Sequence, residues 1–191
     1  MMRGFGTLIS ILALVLSGYT FWITQLQPSS LSVLTSPKTY WFIDSVNGSE
    51  GVWVTTVIGN KGAEPGVLVD LSLAVVNPGN EKKGFVAAYE LNEESQDGWF
   101  RVGRPFFPVT LPGRQTRTLT HVFYPVEDQS SAQVLSEPGI YQFVFTGREV
   151  VNGQIRSLNK QEFQITVSEE DYLEFETQTD RGAGLFLYLY E

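Results

Sequence analysis

The single imidazole of the chain, His121, is the first place to look for acid–base chemistry. A catalytic histidine needs a nucleophile on one side and an orienting carboxylate on the other. Serine and threonine are too frequent in this sequence for either to stand out as that nucleophile. His121 also shares strand parity with Leu119 and Phe123, so the pattern predicts a structural histidine, packed inward and hydrogen-bonded. Glu93, Glu94 and Asp97 lie in the stretch NEESQDGW and offer oxygen ligands beside a turn glycine. They lack the D-x-D-x-D-G spacing with a distal Glu that a calcium loop requires, and nothing fixes a separation suited to a glycosidase pair. A solvated acidic loop is the expectation. With no Cys there are no disulfides, iron–sulfur ligands, thiol nucleophiles or Cys-bound zinc. The sequence therefore predicts no catalytic residue, no metal site and no cofactor, and the expected protein is not an enzyme.

One segment has a composition suited to binding. Residues 99–117 read WFRVGRPFFPVTLPGRQTR and interleave Trp99, Phe100 and Phe106 with Arg101, Arg104, Arg114 and Arg117. Aromatic rings beside guanidinium forks can stack on sugar rings or grip an anionic polymer. A second segment, DRGAGLFLYLYE, ends the sequence. Its six consecutive apolar or aromatic residues are Leu185, Phe186, Leu187, Tyr188, Leu189 and Tyr190. An exposed strand of that kind invites another chain to its unpaired edge, so the segment must be covered. It either pairs internally as a last strand or serves as a partner interface. The acidic run Glu169, Glu170, Asp171, Glu174 and Glu176 alternates at its end with Leu173 and Phe175, which predicts a solvated strand face over residues 173–177.

The elements that position these residues follow from patterning. Residues 4–37 carry no charged side chain, and residues 5–26 are mostly apolar. As helix that stretch is about 33 Å long, enough to cross a hydrocarbon core of roughly 30 Å. Tyr19, Phe21 and Trp22 gather where an interfacial aromatic belt would sit, and Pro28 stops the helix. A cleaved signal peptide is the rival, with Arg3 as its basic start and Ser17-Gly18 as its small residues. No A-x-A-like site is present, and the apolar run continues past the only plausible cut. Arg3 ahead of the helix and Lys38 as the first cation after it put the N-terminus in the cytoplasm and the rest outside. Secretion after cleavage is the alternative.

Beyond the helix, strand signals follow one another and no further helix is expected. Val67, Val69, Leu71, Leu73 and Val75 form one alternating face; Tyr141, Phe143 and Phe145 form a second; Phe163, Ile165 and Val167 form a third. Further strands are expected over residues 31–34, 40–44, 52–58, 85–91 and 116–124. Turn chemistry separates them, and Asn152-Gly153 between two apolar runs is the strongest hairpin signal. Residues 92–112 are the irregular excursion. The fold class is thus all-β, an antiparallel sandwich preceded by one transmembrane helix. Residues 1–27 make the anchor or signal peptide, 28–30 a linker, 31–179 the sandwich and 180–191 the apolar C-terminal strand or tail.

The stretch VWVTTVIGNKGAEPGVLVDLSLAVV, with the later LPGRQTRTLT and EPGIYQFVFT, resembles the turn grammar of bacterial immunoglobulin-like accessory domains of the CARDB kind. An apolar helix leading into LQPSSLSVL resembles many single-pass bacterial proteins. The resemblance implies an immunoglobulin-like sandwich of the cell envelope, and such folds carry function in grafted sites. With a net charge of −8, nucleic acid is an unsuitable partner. The expected partners are the lipid bilayer, through the helix, and another envelope protein. The expected function is a non-enzymatic interaction or structural module; binding of a glycan or anionic polymer through residues 99–117 is the alternative.

Overall fold

The structure is a computed structural model that describes residues 2–44, 48–92, 101–126, 133–179 and 184–188. Helix α1 (Met2–Phe21) passes into one π-helical turn (Trp22–Leu26). The strands follow as β1 (Leu31–Ile43), β2 (Glu50–Asn60), β3 (Gly66–Val76), β4 (Lys82–Asn92), β5 (Arg101–Pro105), β6 (Val109–Leu111) and β7 (Thr116–Pro125). Then come β8 (Gly139–Val151), β9 (Gln154–Ser157), β10 (Gln161–Val167), helix α2 (Glu169–Thr179) and β11 (Gly184–Tyr188).

The helix over residues 7–26 is long and apolar enough to cross a membrane, and none of its side chains is buried, all being exposed save the half-buried Ile23 and Thr24. All strand pairs are antiparallel, in the order β10-β8-β3-β4-β7-β2-β1-β11, with β5 on β4, β6 on β3 and β9 on β8. This sheet curls until its inner face closes on itself. Trp41 of β1 meets Tyr141 and Phe143 of β8 edge-to-face, each at 5.8 Å between ring centroids. Phe123 of β7 meets Phe145 of β8 in the same way at 5.7 Å. Cα atoms of β10 and β11, the two ends of the order, come within 8 Å of each other.

Two expected faces hold: Tyr141, Phe143 and Phe145 are buried, and so are Ile165 and Val167, with Phe163 packed against them. The face predicted for β3 is corrected. Leu68 is buried instead of Val67 and Val69, whereas Leu71, Leu73 and Val75 are buried as expected. The pairing of β3 with β8 shifts register between Leu68 and Asp70, and this one-residue bulge inverts the alternation. The Asn152-Gly153 hairpin forms, with φ of 51° and 75° at its two central residues and Val151 opposite Gln154. Such positive values suit the tight turn that matches strand twist. The excursion after residue 92 returns as β5 and β6.

Residues 173–177 are helix, not strand. Ser168 caps α2: its Oγ accepts from the Asp171 amide at 3.1 Å, while Asp171 Oδ2 accepts from the Ser168 amide at 3.1 Å and from its hydroxyl at 2.7 Å. Glu169, Glu170 and Asp171 then lie in the first turn, where the helix dipole favours them. Tyr172 and Phe175, three apart, pack onto the core, and Leu173 points outward.

Glu50 is the most deeply buried carboxylate among the described residues. Glu50, 2% exposed, accepts from Trp41 Nε1 at 2.9 Å and from the amides of Val134 and Leu135 at 2.9 Å each, and lies 3.4 Å from Lys83 Nζ. Breaking a buried pair by removing one partner costs about 3–5 kcal/mol. Glu50→Ala is therefore expected to lower unfolding stability by that order in urea titrations. Adding Lys83→Met, which removes the orphaned ammonium, should recover part of the loss. A double variant no more stable than Glu50→Ala would show that the ammonium is not what the carboxylate compensates.

Candidate functional site

Three groupings of polar or aromatic side chains stand out on this scaffold. The first joins the helix to the strands. Asn60, at the end of β2 and 3% exposed, accepts at Oδ1 from the amides of Ser30 (3.1 Å) and Gly62 (3.0 Å). Its Nδ2 donates to the carbonyls of Glu64 (2.8 Å) and Leu111 (3.2 Å). The Gln27 carbonyl accepts from the amides of Ala63 and Glu64, and the Ser30 carbonyl from Lys61. Arg114 Nη2 donates to the Ile23 carbonyl at 2.6 Å, so the turn after β6 holds the end of the helical segment. Carbonyls in a last helical turn have no partner within the helix, and this guanidinium supplies one.

The second grouping surrounds Glu90, which is 8% exposed. Arg104 approaches it with Nε at 3.2 Å and Nη2 at 2.9 Å from Oε2, and Arg117 Nη2 lies 3.6 Å from Oε1. Glu90 and His121 are register partners across β4 and β7. His121 is fully buried between Phe106 and Phe123, at 5.4 and 6.4 Å between centroids. The side chain is packed inward, as expected, but the expected hydrogen bond is missing: neither ring nitrogen has a hydrogen-bond partner among the described residues. Burial pushes its pKa from 6.5 down to about 4; Glu90 opposes that shift and Arg117 adds to it.

Residues 99–117 are thus divided. Arg104 and Arg117 share Glu90, Phe106 packs on the core beside His121, and Arg114 sits at the helix exit. Arg101 lies in β5, opposite Asn92. Trp99 and Phe100 fall outside the described residues, as do Glu93, Glu94 and Asp97. Among the described residues no group of three or more potential ligands gathers as a metal site. Of the C-terminal segment, Leu185, Phe186, Leu187 and Tyr188 lie in β11, antiparallel to β1 with Phe186 opposite Tyr40. Leu189 and Tyr190 fall outside the described residues.

The third grouping escaped the sequence reading. Tyr40 and Phe42 flank the buried Trp41, and with Trp53, Tyr124 and Tyr89 they form a continuous aromatic row across β1, β2, β7 and β4. Centroids are 4.5 Å apart for Tyr40–Trp53, 5.5 Å for Phe42–Trp53, 6.0 Å for Phe42–Tyr124 and 6.2 Å for Tyr89–Tyr124. Phe42 is the register partner of Gly51, and a Cβ there would collide with the far edge of the Phe42 ring. The missing side chain lets that ring lie down over the β2 backbone. The Tyr124 hydroxyl donates to Asp44 Oδ2 at 3.0 Å, and burial followed by this carboxylate raises the phenol pKa well above its usual range. The signal was available as aromatics at alternate positions around Trp41, in phase opposite to the core.

The molecule belongs, in class, with all-β domains that follow one N-terminal apolar helix. No known family model matches the sequence, and no curated protein is significantly similar to it. Several solved structures are similar in shape. The putative ApaA protein from Bordetella pertussis is 15% identical, covers 75% of this chain and 97% of its own, and has a TM-score of 0.45. A FixG-related protein from Vibrio parahaemolyticus is 12% identical, with coverage of 75% and 99% and a TM-score of 0.37. The CooA pilin subunit from enterotoxigenic Escherichia coli is 12% identical, with coverage of 73% and 97% and a TM-score of 0.37.

The His121 pKa gives a signed prediction. Between pH 6.5 and 4 the unfolded chain binds this proton and the folded chain does not, so stability falls as pH drops through that window. The contribution is about 3 kcal/mol when fully lost. His121→Leu is expected to flatten that part of the stability–pH curve relative to the parent. Parallel curves would show that carboxylates alone govern the acid limb.

Proposed function

We propose that the protein is a non-enzymatic interaction or structural module of a bacterial cell envelope. Its N-terminal helix stays in the cytoplasmic membrane, N-terminus inward, and presents an immunoglobulin-like β-sandwich on the outer side. The observation that carries this reading is the joint between helix and domain. Residues 27–30 are not a free tether: Gln27 and Ser30 are bonded to residues 61–64, and Arg114 reaches back to Ile23. A domain that grips the end of an apolar helix fits a helix that remains attached. It also fits a role in which the domain is held at a set height and angle. Support for the orientation comes from charge, since Arg3 precedes the uncharged residues 4–37.

The test is membrane fractionation of the full chain. Expected are resistance to alkaline carbonate, an intact N-terminus, and digestion of the β domain by protease added to spheroplasts. A mature N-terminus near Gly18 or Tyr19, or protection of the domain from that protease, would overturn the reading. Arg114→Ala is expected to leave the protein in the membrane fraction while speeding limited proteolysis within residues 27–30. An unchanged cleavage rate would mean that the guanidinium does not stiffen the joint.

A further inference from the structure

The aromatic row on the outer face of β1, β2, β7 and β4 has a use that neither the core nor the helix joint explains. We propose that Tyr40, Phe42, Trp53, Tyr89 and Tyr124 form a stacking shelf that binds a neutral polysaccharide. The proposal supplies a partner for the interaction module described above. It rests on that reading only for where the polymer is met, since the binding itself is a property of the shelf.

Three observations favour this ligand. Phe42 lies flat because Gly51 beneath it has no side chain, while Trp53 is tilted to it by 59° and Tyr124 stands at 84°. A floor with raised sides matches the C–H face of a sugar ring, which is apolar in its middle and ringed by hydroxyls. Polar atoms stand at the margin: the Tyr124–Asp44 pair, the phenol of Tyr89, and the half-buried Thr55 hydroxyl on β2, bonded to the buried Thr120 hydroxyl beneath it. Hydroxyl-to-hydroxyl and hydroxyl-to-carboxylate bonds are the currency of sugar recognition. Finally, the shelf suits a slender polymer better than a protein. Its rings are mostly half-buried, Tyr89 being the most exposed at 36%, whereas a stable protein interface covers about 800 Å² on each partner. The net charge of −8 and Asp44 at the margin disfavour an anionic polymer.

Position agrees with this use. Trp53 is seven residues along β2 from Asn60 at the helix joint, which is about 23 Å of strand. The shelf therefore stands well away from the end of the domain that grips the helix.

Full-length protein in micelles of a zwitterionic detergent without a sugar headgroup would be mixed with insoluble chitin, β-1,3-glucan and amylose, with heparin beads as the anionic comparison. Retention on at least one neutral polysaccharide is expected. Tyr89→Ala, which touches the most exposed ring, and Trp53→Ala should each weaken it by about tenfold. The double variant Arg104→Gln/Arg117→Gln, whose amides can still donate to Glu90, should leave it unchanged. Tyr89→Ala alone keeps the test decisive if Trp53→Ala fails to fold. Absence of retention on all three neutral polymers would overturn the shelf, and carbonate-resistant membrane association of the same preparation would leave the anchored reading intact. Retention that Tyr89→Ala leaves unchanged would overturn it equally. So would retention only on heparin that the arginine variant abolishes, because that places binding on residues 99–117. Capture of a purified envelope protein through Tyr89 with no polysaccharide bound would assign the face to protein docking instead.

Discussion

The buried carboxylate of Glu50 constrains the whole domain. A charge in an apolar interior is costly unless it is paired and its remaining lone pairs are filled. Glu50 meets that condition through four donors from three separate places: the Trp41 indole in β1, the Lys83 ammonium in β4, and the amides of Val134 and Leu135 ahead of β8. Each donor must arrive at a defined point, so the sheet has one way to curl. Trp41 illustrates the consequence. Its N–H is fixed by Glu50, and its ring is therefore held where Tyr141 and Phe143 pack on it edge-to-face. A purely apolar core could slide; this one is pinned.

Asn60 does the corresponding work at the other end of the same strand. Glu50 opens β2 and Asn60 closes it, and both are buried polar residues that bond to chain segments distant in sequence. Between them β2 pairs with β1 on one side and β7 on the other. The strand thus acts as a spine whose first residue orders the core and whose last residue orders the helix joint. A displacement of the helix would have to break the Asn60 knot or carry β2 with it. Such a joint transmits orientation, which a flexible tether of the same length would not.

What was legible in the sequence depended on whether the signal was local. The apolar helix, the Asn152-Gly153 hairpin and the alternation of Tyr141, Phe143 and Phe145 are all written within a few residues, and they appear as read. The β3 face was misread because a bulge is set by pairing with β8, and alternation alone cannot show an inserted residue. Helix α2 was misread because Glu174 and Glu176 alternate with Leu173 and Phe175, while the Ser168-x-x-Asp171 cap that decides the matter lies a few residues earlier. The Glu50 centre was invisible for a different reason. Its donors are 9, 33, 84 and 85 residues away, and no spacing rule links a strand-opening glutamate to them. Likewise the arginines of residues 99–117 read as one surface, yet pairing sends Arg104 and Arg117 to Glu90 and Arg114 to the helix.

The same strands carry two aromatic systems that answer to different constraints. Along β1, Trp41 faces inward and Tyr40 and Phe42 outward; along β7, Phe123 faces inward and Tyr124 outward. The inward rings are held by close packing, so their identity is a matter of stability. The outward rings do not fill the core, and five of them in contact, over a glycine that lets one lie flat, exceed what covering a sheet requires. Apolar surface kept in partial contact with water is normally blunted by charge, and large exposed patches mark sites of interaction. Because the row sits on strands rather than loops, and those strands are pinned at Glu50 and Asn60, its geometry is set before any ligand arrives. A rigid, preformed surface loses little entropy on binding, which is why a handful of rings suffices.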